Sequence, residues 1–350
     1  MRRREFIKLV GGAGVGAALS DRAWALATPA PVIEKVGDMP YRILGRTGFK
    51  VSVVGFSGLA LIHGDQEKGT ASLHAAFDQN MNYYDVAPAY GNGEAEIKMG
   101  LGLQGLPRDK YRLACKTKKR DAAGAREELE RSLTRLKTDY FDVYQLHHLV
   151  QPAQVKEALG PGGAMETVLK AKQEGKIRAI GFSAHTTKAA LLALEGFEFD
   201  TCMFPINYVE WFTRDYGKEV LKLAQQKKTA VIGIKTMSAG AWPQGVKKDR
   251  EWWYRTLEQQ DDIDRAYRWT LSLPGVVLGF PPSWLDLQAK AIAAGMAYRP
   301  ATNEDATKLE EMSKGLGSMF KKEEDSVVAH GGVPPAYYEY VHGHCPIECA

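Results

Sequence analysis

From residue 51 to about residue 296 one pattern recurs eight times: a short apolar run rich in β-branched and aromatic residues, then a longer stretch with charge on one face. The runs are VSVVGFSG (51–58), NYYDV (82–86), YRLACKT (111–117), FDVYQLH (141–147), IRAIGFS (177–183), TCMFPIN (201–207), AVIGIKT (230–236) and VVLGF (276–280). Runs of this length and composition read as parallel strands covered on both faces. Between them lie helix-length segments such as 125–137 and 164–176. In the first, Leu129, Leu133 and Leu136 share one face at i, i+4 and i+7 spacing. Eight strand–helix units in this length predict a closed (β/α)8 TIM barrel of the α/β class. Two doubly wound halves are the other arrangement of such units, but FSGLALIHG follows the first strand where a glycine fingerprint would stand.

Two additions flank the barrel. YRILGRTGFKVS (41–52) sets two apolar arms around a polar turn bracketed by Gly45 and Gly48, the pattern of a β-hairpin able to plug the lower mouth. TNEDATKLEEMSKGLG (302–317) predicts an extra C-terminal helix with Thr302 or Asn303 as its cap. With no linker long enough to divide the chain, residues 28–298 form the barrel and 299–350 a C-terminal helix and tail.

Residues 1–27 read as a processing segment. Arg3 and Arg4 precede a glycine- and alanine-rich apolar stretch, and A-x-A sites end at Ala25 or Ala27. The start resembles a twin-arginine signal, which implies the twin-arginine export machinery as a partner and export in the folded state. The expected location is periplasmic or otherwise extracytoplasmic, with membrane contact only through this segment, cleaved or retained as an anchor. The formal net charge is +4, and the leader carries +3 of it. The remainder has no electrostatic footprint for nucleic acid. Four cysteines are too few for a disulfide framework; two sit in strand-like sequence and read as inert core thiols.

The active site of such a barrel lies at the C-terminal ends of its strands. There the sequence offers Asp85 and the nearby Tyr90 after the second strand, Lys116 at the third and His147 at the fourth. A free phenol holds its proton until about pH 10. An adjacent ammonium favours the phenolate and eases proton donation. Asp85 would fix that ammonium, and His147 would orient a substrate oxygen. The set suits protonation of a carbonyl oxygen while hydride arrives from a nicotinamide, because no side chain supplies hydride.

These motifs resemble the aldo-keto reductase superfamily over about residues 40–298. LGRTGFKVSVVGFSGL is similar to the family's entry hairpin and first strand, and NMNYYDVAPAYGNGEAEIKMG to its Asp-to-Tyr signature, with Val86 where threonine is usual. YRLACKTK and FDVYQLHH resemble its lysine and histidine strands. The resemblance implies a catalytic tetrad of Tyr90, Lys116, Asp85 and His147, with Tyr90 the general acid in NAD(P)H-dependent reduction of an aldehyde or ketone. It implies NADP, with NAD possible, held by Gly58, Ser183, Lys235, Gly279, Phe280 and Gln288. Ala184 replaces the asparagine usual beside Ser183, and Lys290 is the nearest base for a 2′-phosphate. His63, Trp242 and Trp252 are candidate substrate contacts; Trp252 and Trp253 either wall the mouth or pack outside it. No metal ligand set is assigned. The competing readings are a barrel metallohydrolase or isomerase using His63, His147, His148 and His185, and a non-catalytic nucleotide-binding homologue. The tail YYEYVHGHCPIECA resembles a decayed ferredoxin-like module, with Tyr338 and His342 in two of its cysteine places and Cys345 and Cys349 retained.

Overall fold

The computed structural model describes residues 28–329. The signal reading of residues 1–27 and the tail reading of Tyr338, His342, Cys345 and Cys349 lie outside the described residues.

Strands β1 (Glu34–Val36), β2 (Met39–Ile43) and β3 (Lys50–Ser52) form an antiparallel sheet with Val36 opposite Met39 and Tyr41 opposite Ser52. This is the predicted hairpin with one strand added in front. Gly45 and Gly48 take φ of 53° and 70°, the left-handed region that glycine enters at low cost. The turn delivers Leu44 and Val51 into a fully buried cluster with Tyr83, Ala114 and Val143, so the hairpin closes the lower mouth as expected. Arg42 is fully buried and donates from Nη1 to the carbonyls of Leu271 and Val276, at 2.8 and 2.9 Å.

Strands β4 (Phe56–Ser57), β5 (Tyr83–Asp85), β6 (Arg112–Thr117), β7 (Phe141–Leu149), β8 (Ile177–Ala184), β9 (Thr201–Pro205) and β10 (Ala230–Ile234) pair in parallel in chain order. A hairpin of β11 (Ser238–Ala241) and β12 (Tyr254–Thr256) intervenes before β13 (Val276–Gly279), the eighth strand of the parallel sheet. The seam closes through a bridge from Val54 to Gly279: Gly55 N donates to Gly279 O at 3.1 Å, and Gly279 N to Val53 O at 3.0 Å. The first strand is shorter than its apolar run. Residues 50–52 pair with β2 instead, and Ser52 and Asn82 exchange side-chain bonds where a barrel ladder would otherwise run.

The barrel interior and the layer between strands and helices are two separate apolar clusters, as the fold requires. The covering helices are α1 (Gln66–Asp78), α2 (Glu94–Gly102), α3 (Ala122–Leu136), α4 (Pro152–Leu159), α5 (Ala164–Gln173), α6 (Thr187–Gly196), α7 (Tyr208–Arg214), α8 (Lys218–Gln226), α9 (Gln260–Ser272) and α10 (Leu285–Met296). Leu129, Leu133 and Leu136 of α3 are all buried. Helix α11 (Asn303–Ser313) is the predicted extra helix, and Thr302 is its cap: Thr302 Oγ1 accepts from Asp305 N, and Asp305 Oδ2 accepts from Thr302 N. It stops at Ser313 because Gly315 turns left-handed and Gly317 then accepts from Ala241 N at 2.8 Å, tying the chain to β11. Phe320 is fully buried against Tyr216 and His185, and α12 (Lys321–Ala329) follows. Among the described residues no helix is long and apolar enough to cross a membrane.

Candidate active site

Strand alternation decides which side chains enter the barrel. On β6 the inward face carries Ala114 and then Lys116, and on β7 Val143, Gln145 and His147. Both rows climb from apolar residues to chemistry at the upper end. Asp85 closes β5, paired with Ser57 on one side and Ala114 on the other. Tyr90 comes from the following loop, where Gly91, Asn92 and Gly93 take φ of 57°, 52° and 94° in succession. That left-handed run, which glycine makes feasible, brings the phenol to the strand ends.

Lys116 binds the other members together. Its ammonium donates to Asp85 Oδ1, to the Val86 carbonyl at 3.2 Å and to Tyr90 Oη at 3.0 Å. An ammonium has three donors and no acceptor, so all three are committed. Tyr90 Oη must therefore accept from lysine, which directs the phenol's own hydrogen elsewhere. The His147 ring stands edge-on to Tyr90, centroids 5.6 Å apart at 84°. Gln145 Nε2 donates to Asp85 Oδ2 at 3.2 Å and fixes the second carboxylate oxygen. Sequence reasoning missed Gln145; its only signal is that it lies two residues before His147 on the same strand face.

Electrostatics assign the charges. Burial alone would lower the Lys116 ammonium, but the Asp85 and Tyr90 oxygens outweigh it and hold its pKa above the ordinary lysine value. Burial pushes the Asp85 carboxyl up, and Lys116 and Gln145 pull it partly back. His147 moves the other way: burial, then the charges of Lys116, Lys118, His185 and Arg120, hold it well below the usual imidazole range. It is a neutral imidazole, and its Nδ1 is buried with no hydrogen-bond partner.

The remaining candidates divide. Ser183, Lys235 and Phe280 line one cleft with Asp85, Tyr90 and His147. Ser183 Oγ accepts from His148 N at 2.7 Å, where β7 breaks register with β8 and His148 takes φ of 57°. Lys235 stands at φ 62° with its ammonium 5.5 Å from the Trp253 ring centre. The other three are packed into the scaffold. A Cβ on Gly58 would lie 2.6 Å from the Asp85 carbonyl, so its smallness seats the turn on β5. Gly279 makes the barrel seam, and a Cβ there would sit 3.1 Å from Thr236 and Tyr267 side-chain atoms. Gln288 is 1% exposed and staples α10 to the first strand, accepting from Ser57 N at 3.0 Å and donating to Gly55 O at 3.2 Å. Lys290 Nζ donates to the Glu258 carbonyl at 2.6 Å. Ser57 and Ser283, which the sequence did not single out, join the cleft.

Trp252, Trp253 and Tyr254 line the mouth, which settles the open choice for the tryptophans. Trp242 and His63 stand behind them. The Trp242 indole N–H donates to the Trp252 carbonyl at 2.8 Å. His63 stacks on Trp284 at 4.1 Å and meets Trp252 edge-on. Among the described residues no group of three or more His, Cys, Asp or Glu side chains is placed to hold a metal ion. Cys115 and Cys202 are buried free thiols, and burial pushes both upward in pKa.

A model of the aldo/keto reductase family matches residues 60–312. L-galactose dehydrogenase of Arabidopsis thaliana is 29% identical over 212 residues, covering 57% of this chain and 66% of the relative. An aldo-keto reductase of Bacillus subtilis is 30% identical over 214 residues, covering 55% and 61%. The chain thus spans just under two thirds of the length of these relatives. Among solved structures, an aldo-keto reductase of Bacillus halodurans superposes with a TM-score of 0.63 at 22% identity, over 82% of this chain and all of that one. Another, from Klebsiella pneumoniae in complex with NADPH, gives 0.59 at 21% identity, over 80% and 96%. At these identities the structures share the fold.

Proposed function

Since the chain belongs to the aldo/keto reductase family, we propose that it reduces the carbonyl of a small aldehyde or ketone to the alcohol, with Tyr90 as general acid. The observation that carries this is the committed ammonium of Lys116, bonded at once to Asp85, Val86 and Tyr90. A cation 3.0 Å from the phenol oxygen stabilises the phenolate left after the proton departs. Neutral His147 orients the substrate oxygen toward Tyr90 without competing as an acid. Asp85, clamped by Gln145, keeps Lys116 charged while the phenol's negative charge develops.

The donor set around the cleft fits the nicotinamide end of a dinucleotide. Ser183 accepts the His148 amide hydrogen, so its own hydroxyl hydrogen is left to donate to a carboxamide oxygen. Lys235 supplies a cation for the phosphates, and Phe280 an apolar surface. When bound, the reduced nicotinamide supplies the hydride. NADP is the assigned cofactor, matching the Klebsiella neighbour solved with NADPH. NAD is not discriminated against, because Lys290 is tied to a backbone carbonyl.

Residues 1–27 are assigned as a twin-arginine signal, and the protein as exported folded with its dinucleotide already bound. Free nicotinamide nucleotides are cytoplasmic, so a loaded enzyme must recycle its cofactor in place with a second substrate. Protein isolated from the cell envelope is expected to release nicotinamide nucleotide on denaturation. Tyr90→Phe removes the transferable proton and is expected to lower carbonyl reduction by roughly 10²- to 10⁴-fold while dinucleotide binding, followed by fluorescence quenching, stays unchanged. Full activity in that variant would remove Tyr90 from its role.

A further inference from the structure

One ion pair, its carboxylate buried and its guanidinium partly exposed, has no part in the mechanism above. Glu96, in the first turn of α2, is fully buried, and its Oε2 accepts from Arg135 Nη1 at 3.0 Å. Such a pair gives little net stability, because the cost of desolvating the carboxylate offsets much of its attraction to the partly exposed guanidinium. Its position gives it another use.

Three contacts define that position. The Arg135 guanidinium fills the space where Gly93 lacks a side chain: a Cβ there would lie 2.0 Å from Nη1 and 2.5 Å from Cζ. Gly93 ends the left-handed run that begins immediately after Tyr90. At the far end of α2, the Arg135 carbonyl would lie 2.2 Å from a Cβ on Gly100, so one residue of α3 holds α2 at both ends. The other carboxylate oxygen, Glu96 Oε1, accepts from the Cys115 thiol at 3.6 Å. Cys115 is the chain neighbour of Lys116, and burial keeps its thiol protonated as a donor.

The Glu96 carboxylate therefore touches the strand that carries the ammonium and, through Arg135, the loop that carries the phenol. We propose that Glu96 and Arg135 are positioning residues that set the separation of Tyr90 from Lys116. The proposal rests on the reading of Tyr90 as the acid, and it names what holds that acid in register. Of the three positive-φ residues Asn92 alone lacks glycine's freedom, and the guanidinium packed against Gly93 fixes where the run ends. Release of the pair lets the loop relax and the phenol draw away from the ammonium.

The test uses the full chain with Glu96→Gln, Arg135→Lys and Gly93→Ala, beside Lys68→Ala, which breaks only an exposed pair with Asp65. Ultraviolet phenolate absorbance is titrated in each variant and in the same variant carrying Tyr90→Phe; the difference isolates Tyr90. The Tyr90 ionisation is expected to move to higher pH, its constant falling roughly threefold or more, in all but the Lys68 variant. Carbonyl reduction is expected to lose about 10- to 100-fold in kcat with KM within about twofold, the signature of lost alignment and not of lost binding. Variants that melt earlier while Tyr90 titrates as in the parent would overturn the proposal, since a purely structural pair lowers stability alone. Should Glu96→Gln not fold, Arg135→Lys keeps the charge, loses the planar fork and carries the same test. A parent protein without carbonyl reduction would sink the reductase reading, while the Tyr90 titration would still decide this one.

Discussion

A neutral imidazole beside a buried ammonium has consequences for stability as well as for catalysis. His147 sits below its ordinary pKa in the folded protein, so below about pH 6.5 the unfolded chain binds a proton that the native state does not. Stability then falls as pH drops through that value, by up to about 1.4 kcal/mol per pH unit for this one group. His147→Gln is expected to flatten the urea-midpoint profile between pH 5 and 7, and an unchanged slope would mean that another group carries the linkage. The opposite charge has its own test. Asp85→Asn leaves Lys116 buried without a counter-ion, a loss of about 3–5 kcal/mol, and the lysine escapes it by deprotonating. The variant is expected to fold with a lower melting temperature and with Tyr90 no longer eased toward ionisation. Asp85, Lys116 and His147 were legible because they lie at or near strand ends, which are readable from apolar runs, and Tyr90 because it follows Asp85 in the next loop. Gln145 was not, because a polar residue inside a strand carries no mark of what lies opposite until the barrel closes.

At the level of elements, sequence pattern succeeded where periodicity is strong and failed where pairing alone makes the structure. The eight parallel strands are apolar runs, and α3 is a leucine stripe at helical spacing. Strand β11 reads SAGA, with no β-branched or aromatic residue, and forms because Tyr254 and Thr256 pair with it and Gly317 ties its end. Helix α12 has no apolar stripe long enough to announce it. The segment after the eighth strand shows a different limit. Gln288 matches in position, but its amide is used to join α10 to the backbone of Gly55 and Ser57. Gln288→Leu is accordingly expected to lower stability by about 1–3 kcal/mol through two unsatisfied backbone groups, with dinucleotide affinity little changed at low temperature. A large loss of affinity with stability intact would return Gln288 to the cofactor. The α11 cap is the simpler case: Thr302→Ala removes the oxygen that accepts from Asp305 N and is expected to lose about 1 kcal/mol in urea unfolding.

Across the whole molecule, the cleft draws its walls from both sides of the barrel seam. Ser57 belongs to β4 and Phe280 follows β13, the two strands being joined through the Val54–Gly279 bridge, while Lys235 and the tryptophans come from the segment between β10 and β12. A ligand filling that cleft therefore ties together the first strand, the last strand and the hairpin that folds over them. Binding to the native state alone stabilises by mass action, about 2.7 kcal/mol at a ligand concentration one hundred times the dissociation constant. For a chain of this size that is a rise in melting temperature of roughly 4 °C. Thermal melts of the protein from residue 28 onward, refolded after denaturation has freed any bound nucleotide, with and without oxidised NADP or NAD, check it. Lys235→Ala should reduce the shift, because the cation it removes lines that cleft. If millimolar concentrations of either dinucleotide leave the melt unmoved, the cleft does not hold a nicotinamide cofactor and the loaded-export proposal falls with it.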